Sequence, residues 1–201
     1  DASELPGSDS ALIKVMASDG INTSTDQSDA PFTVGTKGPQ AFILAPDGDA
    51  SILSEASLWL QGRGYDLEDG ELGEAALSWQ SDLDGDLGTA SSLLVNLSPG
   101  QHTITLTVTD SDGNPATEQV TMSVEVCHAL VLDVQPSDAG EIVADPEPNC
   151  SVHPDKYQDG TTVSLTANPN TGFDFENWGG SVYSSENPAQ MTINEDKAVT
   201  A

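Results

Sequence analysis

The stretch that decides the fold is HTITLTVTDSDGNPATEQVTMSVEV, residues 102–126. In its first part apolar and threonine residues alternate strictly, which places Ile104, Leu106 and Val108 on one face. A period of two is typical of a β-strand with one buried face. The alternation returns over residues 120–126, and the intervening segment is rich in Gly, Asn and Asp, which favour turns. The stretch therefore predicts an antiparallel β-hairpin.

Similar short apolar runs recur along the rest of the chain, separated by turn-forming residues at the spacing typical of β-sandwiches. The further predicted strands are 11–17, 31–34, 40–44, 57–61, 77–80, 92–97, 129–134, 140–144, 161–167, 191–193 and 198–201. The best helical signal covers only residues 72–77, which is too short for a stable helix. The pattern therefore predicts an all-β protein built around an antiparallel sandwich.

The charge of the chain is strongly unbalanced. Among 201 residues, 33 are acidic and 5 are basic, which gives a formal net charge of -28. Nucleic-acid binding is excluded because phosphate contacts need clustered Lys and Arg, and docking on anionic lipid is disfavoured. No apolar run is long enough to span a membrane, so we expect no membrane insertion. Three explanations of the acidity remain open: a solvated, self-repelling surface, carboxylates gathered around Ca²⁺, and adaptation to salt.

Changes of pattern divide the chain into three predicted segments. The sequence GTKGP, residues 35–39, is typical of a short linker, and the pattern changes again at residues 126–127. We expect the C-terminal strands of a preceding β-sandwich in 1–34, one domain in 39–126 and another in 127–201. Two strands alone are marginally stable in water. We therefore expect a piece of a longer multi-domain protein.

Five motifs lie between residues 39 and 126: YDLEDG (65–70), LSW (77–79), DGDLG (84–88), LSPGQHTITLTVTD (97–110) and DGN (112–114). Together they resemble the PKD-like and cadherin-like immunoglobulin-fold modules of secreted bacterial and archaeal proteins. The resemblance implies an immunoglobulin-like β-sandwich, with Trp79 inside and Gly100 setting the turn into the long strand. The short motifs IKVMASDG (13–20) and PFTV (31–34) are similar to the last strands of an immunoglobulin-like or fibronectin-III-like module.

Another set of motifs follows residue 127: AGEI (139–142), DGTTVSLTA (159–167), GFDF (172–175), WGG (178–180), NP (187–188), Met191 and DKAVTA (196–201). These resemble the internalin-B-type B repeat, a small β-grasp-like module strung in arrays on bacterial surfaces. The resemblance implies a core formed by Phe173, Phe175 and Trp178, and a repeat truncated at its end. The two cysteines are a departure, since only a subset of such repeats has them.

Cys127 and Cys150 predict one disulfide, which indicates an oxidising and hence extracellular compartment. The alternative is a Cys₂His₂ zinc site with His128 and His153. Neighbouring residues of a strand point to opposite faces, which disfavours Cys127 and His128 as joint ligands.

Turn carboxylates make Ca²⁺ a candidate cofactor, because calcium takes six to eight oxygen ligands gathered from loops. The predicted ligands are Asp66, Glu68, Asp69, Asp84, Asp110, Asp112 and Asn114. Residues 110–114 imitate the opening of a calcium loop, but the full EF-hand pattern is missing. Asp and Asn are also common in plain turns, so turn chemistry without an ion remains the alternative.

No nucleophile elbow, zinc-protease helix or phosphate loop occurs in the sequence, and we expect no enzyme activity. The prediction is an extracellular structural or adhesive segment, a stalk or spacer of a surface or secreted protein, stiffened by calcium. Its expected partners are neighbouring modules or like subunits, and a surface protein or glycan, for which Trp59 offers a partly exposed ring. The alternatives are a filament subunit assembled head to tail by strand complementation and the accessory region of a secreted hydrolase. Glycosylation sequons occur at Asn22, Asn96 and Asn149.

Overall fold

The structure is a computed structural model that describes residues 4–201, so the first three residues of the predicted segment 1–34 lie outside the described residues. Apart from a 3₁₀ turn at Glu74–Ala76, within the stretch of weak helical signal, its regular structure is β-strand. Nothing helical in this described part has the length and apolar character needed to cross a bilayer.

The chain forms two compact units that interleave along the sequence. The first contains the chain up to Gly48 together with Leu58–Val95 and Thr103–Thr121. The second contains Asp49–Ser57, Asn96–His102 and Met122–Ala201. The segment boundaries drawn from the sequence stay a prediction.

The N-terminal residues form two antiparallel strand pairs. Strand β1 (Ser8–Ala11) pairs with β4 (Phe32–Val34), and β2 (Lys14–Ser18) pairs with β3 (Thr23–Gln27). The prediction of one continuous strand over residues 11–17 is wrong at its start. Ala11 ends β1, residues 12 and 13 lie outside any strand, and residues 14–17 belong to β2, which pairs with a different partner. All residues of β2 and β3 are exposed.

The next nine strands form two sheets. They are β5 (Gln40–Ala45), β6 (Ala50–Leu53), β7 (Leu58–Asp66), β8 (Gly70–Leu72), β9 (Leu77–Ser81), β10 (Gly85–Thr89), β11 (Ser92–Val95), β12 (Gly100–Thr109) and β13 (Pro115–Glu125). One sheet has the order β10-β9-β12-β13-β6, and the other has β11-β7-β5 with β8 beside β7. This arrangement confirms the immunoglobulin-like sandwich, with its first strand divided between the sheets as β5 and β6. The antiparallel prediction needs one correction, because β6 pairs with β13 in parallel.

The inward face of β7 explains how closely the two sheets pack. It presents Gly62 and Gly64 among its buried positions. A Cβ atom added to Gly62 would lie 2.7 Å from the Leu106 side chain and 2.8 Å from the ring of Trp79. Trp79 is fully buried, as predicted, and its Nε1–H donates to the Ala90 carbonyl at 2.9 Å. The glycines leave the space that the large side chains of the opposite sheet fill.

Residues 127–201 form three small sheets. Their strands are β14 (Cys127–His128), β15 (Leu130–Asp133), β16 (Gly140–Asp145), β17 (Tyr157–Gln158), β18 (Thr161–Pro169), β19 (Gly179–Gly180), β20 (Ala189–Ile193) and β21 (Lys197–Thr200). The sheet orders are β14-β17, β15-β21-β19 and β16-β18-β20, and β15 runs parallel to β21.

Trp178 is fully buried at the centre of the core of residues 127–201. Its Nε1–H donates to the Glu186 carbonyl at 2.9 Å, and the Phe175 ring lies 5.1 Å away, centroid to centroid. Phe173 is 39% exposed. The predicted aromatic core therefore holds for Trp178 and Phe175, while Phe173 contributes a partly solvated ring.

Candidate cation site at one end of the sandwich

The loop that follows β7 is shaped by Asp66. This residue is the last inward-facing position of β7 and is only 2% exposed. Its Oδ1 accepts the backbone N–H groups of Glu68 at 2.8 Å and of Asp69 at 3.0 Å. An Asp side chain that accepts from the backbone two and three residues later imitates a backbone turn. Gly70, with a φ of 76°, then allows the chain to enter β8.

Asp69 joins this loop to the β12–β13 hairpin turn. Its Oδ2 accepts the Ser111 N–H and its Oδ1 accepts the Ser111 hydroxyl, both at 2.9 Å. Within the turn, Asp110 accepts the N–H of Asn114 at 2.7 Å and its side-chain amide at 2.8 Å. Burial acts to raise the pKa of Asp110, but the hydrogen bonds from Asn114 and from the backbone of Asp112 and Gly113 together lower that pKa below its usual value. Asp69 therefore holds the two loops together, whereas Asp110 holds the hairpin turn in shape.

Glu68 joins the same loop to the N-terminal segment. Its Oε1 accepts the backbone N–H of Gly7 at 2.5 Å and of Lys37 at 3.2 Å. A Cβ atom on Gly7 would lie 2.8 Å from Thr36, so the close approach requires glycine. The Lys37 ammonium itself donates to the Gly35 carbonyl at 2.8 Å. One carboxylate thus connects the chain before β1 and the chain after β4 to the sandwich loop.

Two oxygens at this end have no hydrogen-bond partner. Among the described residues, the buried side-chain nitrogen and oxygen atoms without a hydrogen-bond partner are Asp66 Oδ2 and Glu68 Oε2. A buried carboxylate oxygen without a partner is costly, because water no longer solvates its charge. Oxygen atoms of this kind are the ligands that Ca²⁺ takes in proteins.

The structure brings the loops 66–70 and 110–114 together, but Asp84 lies elsewhere. Ser81, just before the turn that carries Asp84, pairs with Ile104 near the start of β12, whereas Asp110 follows the end of β12. At a rise of about 3.3 Å per residue the strand separates these positions by about 20 Å. Asp112 is exposed in the hairpin turn. The chain brings the other predicted ligands to one end and Asp84 to the other.

Sequence reasoning missed the partners of the carboxylates at this end. The N–H groups of Gly7 and Lys37 and the side chain of Ser111 were not among the predicted site residues. Backbone N–H groups cannot be recognised from residue type. The only sequence signal near these donors was the predicted linker at residues 35–39, which contains Lys37.

The cysteines form a second cluster, in the second unit. Cys127 and Cys150 are joined by a disulfide, as predicted. Glu125 lies beside them, and these three residues form a group whose ligand-type atoms meet within 4.8 Å. Sulfurs joined to each other do not supply the thiolates that a metal needs. His128 instead lies 3.0 Å from an Asp159 oxygen. The arrangement supports a disulfide in preference to zinc.

Glu125 has its own partners. Its carboxylate accepts the Ser151 hydroxyl at 2.5 Å and the Ser151 N–H at 3.0 Å. Burial acts to raise the pKa of Glu125, but the hydrogen bonds from Ser151 and from the Gln158 side chain together hold that pKa below its usual value.

Comparison with known proteins gives one family match, over about a third of the chain. No curated protein matches. A solved structure of the Sidekick-1 immunoglobulin domains 1-5 is 12% identical, covers 96% of this chain and 47% of that chain, and has a TM-score of 0.28. The chain therefore spans about half the length of that structure. A family model described as the divergent InlB B-repeat domain matches residues 138–201, so this segment is similar to the B repeat that its motifs had indicated.

Proposed function

We propose that this chain is a non-enzymatic structural segment, a stalk or spacer, of a multi-domain surface or secreted protein. The observation that carries the proposal is the double hydrogen bond of Glu68 to Gly7 and Lys37. It fixes the N-terminal strands to the sandwich at both ends of their segment. A spacer needs such a connection, because a free linker would let neighbouring β-modules bend independently.

The energetics of the connection fit this role. Hydrogen bonds to charged groups contribute about 1.5–3 kcal/mol each. Both donors are backbone groups, so the connection depends on the path of the chain and not on long, flexible side chains. The glycine at position 7 permits contact with Thr36 in the linker itself. These features support a restricted joint.

Several further features support an extracellular setting. B-repeat modules are typical of surface proteins and are typically non-catalytic, and residues 138–201 match that family model. The Cys127–Cys150 disulfide fits an oxidising compartment. The resemblance of residues 39–126 to PKD-like and cadherin-like modules supports the same role. Its partners are neighbouring modules, and an accessory position beside a secreted hydrolase is a variant of this function.

A second candidate function is a filament subunit that exchanges strands with a like subunit. The observation that favours it is the exposed hairpin β2–β3, in which Val15 is 61% and Met16 is 70% exposed. Ile21, at the tip between the strands, is 93% exposed. Unpaired strand edges with apolar side chains accept strands from other chains.

The test is ¹⁵N NMR relaxation of the whole 201-residue chain. In the wild type, amides of β1 to β4 are expected to show the same rotational correlation time as amides of β7. Glu68→Ala should give the N-terminal strands faster motion, whereas Glu71→Ala, an exposed change in the adjoining strand β8, should leave their motion unchanged. Independent motion of β1 to β4 in the wild type would refute the spacer proposal. Self-association of the same samples at rising concentration, lost on Val15→Ser/Met16→Ser, would favour the filament instead.

A further inference from the structure

We infer that a cavity within residues 127–201 binds an arginine side chain of a partner polypeptide. The inference goes beyond the spacer function and does not depend on it. The cavity has a volume of about 200 Å³. It lies where the start of β16 pairs with the end of β18, and the loop 173–177 before β19 and the turn after β15 complete its lining.

Two phenyl rings belong to the lining, and they differ in their surroundings. Phe175 is partly buried and packs against the core, with the Trp178 ring 5.1 Å away, centroid to centroid. Phe173 is 39% exposed, although the sequence resemblance implied a place in the core. Phe175 is therefore a fixed part of the wall, whereas Phe173 is a partly solvated ring that a ligand can cover.

The loop that carries Phe173 is held in place by Asn170. The Asn170 N–H donates to the Ala139 carbonyl at 2.7 Å, and its side-chain amide donates to the Asp138 carbonyl at 2.9 Å. The Asn170 carbonyl accepts the Phe173 N–H at 3.0 Å. Gly172, with a φ of 98°, turns the chain between them. The cavity is thus formed before a ligand arrives, which lowers the cost of ordering the loop on binding.

The charge of the lining selects the charge of the ligand. Glu141, Asp174 and Glu176 are lining residues, and none of the lining residues that the structure describes is basic. All three are exposed, so each contributes only modestly to the affinity for a cation. The net charge of -28 attracts basic partners over a longer range. The lining therefore favours a cationic group and disfavours an anionic one.

A phenyl ring beside carboxylates suits a guanidinium group in particular. This group is planar and stacks on aromatic rings, while its N–H groups donate to carboxylates. The ammonium of lysine is more strongly hydrated and cannot stack in this way. The first unit contains the same pairing, since the Arg63 guanidinium carbon lies 4.7 Å from the centroid of the Phe42 ring. Arg63 is the only arginine of the sequence and is already engaged, so we assign the occupant to a different polypeptide.

The size of the cavity indicates a single side chain and not a whole small molecule. Sites for drug-sized ligands measure about 300–1,000 Å³, whereas a cavity of about 150 Å³ is enough for benzene. A volume of about 200 Å³ fits one long side chain whose backbone remains outside. Arginine is also among the residues that contribute most to binding at protein interfaces.

The experiment titrates acetyl-Gly-Arg-Gly-amide into the ¹⁵N-labelled 201-residue chain at constant ionic strength. We expect saturable shifts at the amides of Phe173, Phe175 and Glu176, with a dissociation constant of about 1 mM, at the weak end of the affinity scale. The same peptide with citrulline keeps the shape of arginine and removes its charge, and the peptide with lysine keeps the charge and removes the plane. Both should bind at least about threefold more weakly.

Two variants test the lining. Phe173→Leu retains an apolar side chain but removes the ring, and should weaken binding of the arginine peptide about 2–30-fold, the range for a cation over an aromatic ring. The triple variant Glu141→Gln/Asp174→Asn/Glu176→Gln should weaken it at least about fivefold, through the combined loss of three exposed charges.

The matched control is Asp145→Asn/Glu147→Gln/Asp155→Asn. It removes three exposed charges of residues 127–201 that are not lining residues, and it should bind the arginine peptide as the wild type does. Circular dichroism checks the fold of each variant, and the triple variant of the lining decides if Phe173→Leu does not fold.

Four results would overturn the inference. The first is the absence of saturable shifts at the lining amides up to about 10 mM peptide, ten times the expected dissociation constant. The second is equal binding of the citrulline or the lysine peptide. The third is wild-type affinity in both Phe173→Leu and the triple variant of the lining. The fourth is an equal loss in the matched control, which would indicate diffuse attraction to the acidic surface.

Discussion

Replacing Gly64 by alanine tests the packing between the two sheets of the sandwich. The new Cβ atom would lie 2.3 Å from Val108 Cγ1 and 3.3 Å from Val108 Cγ2. Carbon atoms are at their optimal separation at about 3.5–4.0 Å, so Val108 would have to move by more than about 1 Å. Val108 is fully buried, and its branched side chain has few alternative rotamers. Val108 therefore cannot move away from the new methyl group without a substantial cost in free energy.

Two opposing effects set the size of the change in stability. Overpacking a core costs about 1–3 kcal/mol. Alanine also restricts the unfolded chain, which stabilises the folded state by about 0.4–1 kcal/mol. The expected net loss is about 1–2 kcal/mol in the free energy of unfolding. For a chain of this length such a loss lowers Tm by about 2–8 °C.

Urea denaturation followed by tryptophan fluorescence measures the effect, because the buried ring of Trp79 packs against Gly62, two residues before Gly64 in β7. Gly73→Ala is the matched control, since Gly73 has a φ of -72° and no atom lies within 4 Å of its added Cβ. It should be neutral or slightly stabilising. Val108→Ala should partly rescue Gly64→Ala, because the removed methyl groups make room for the new one. Wild-type stability in Gly64→Ala, or strict additivity in the double variant, would refute the reasoning.

The disulfide and Glu125 allow two more predictions. Opening the Cys127–Cys150 bond, at a sequence separation of 23, should cost about 3 kcal/mol in the chain-entropy model, read as a lower denaturation midpoint. Reduction should add the mass of two hydrogen atoms, and an unchanged mass would contradict the bond. The lowered pKa of Glu125 means that its contribution is complete above about pH 4.5 and is lost as the pH falls through its folded-state pKa. Glu125→Gln should flatten that part of the stability–pH curve, and parallel curves would contradict this assignment.

Alternation of apolar residues was enough to predict the central strands. Ile104, Leu106 and Val108 are fully buried in β12, as their spacing required. Strand β6 was missed because it is short and its partner, β13, is distant in sequence and parallel to it. Its pairing depends on long-range packing that no local pattern expresses.

The sequence predicted the residue types and the loops of the candidate site, but not which of those residues the fold brings together. Turn chemistry pointed to the loops at 66–70 and 110–114, and the structure brings them together. Asp84 lies at the other end of the sandwich because Ser81 pairs with Ile104 near the start of β12. The distance between residues along the sequence does not show at which end of a strand each one lies. The partners of Glu68 are the backbone N–H groups of Gly7 and Lys37, and those of Asp66 are the N–H groups of Glu68 and Asp69. Backbone amides of this kind carry no residue-specific signal.

The Cys127–Cys150 bond has a mechanical consequence for the chain under tension. A force transmitted along the backbone passes directly from one cysteine to the other, whose Cα atoms are 6.0 Å apart. The bypassed segment, which includes β14 to β16, has a contour length of about 75–80 Å when fully extended. When force unfolds this part of the chain, the bypassed segment therefore does not contribute its contour length to the extension. The bond acts as a limit on extensibility, and a reducing environment would remove that limit.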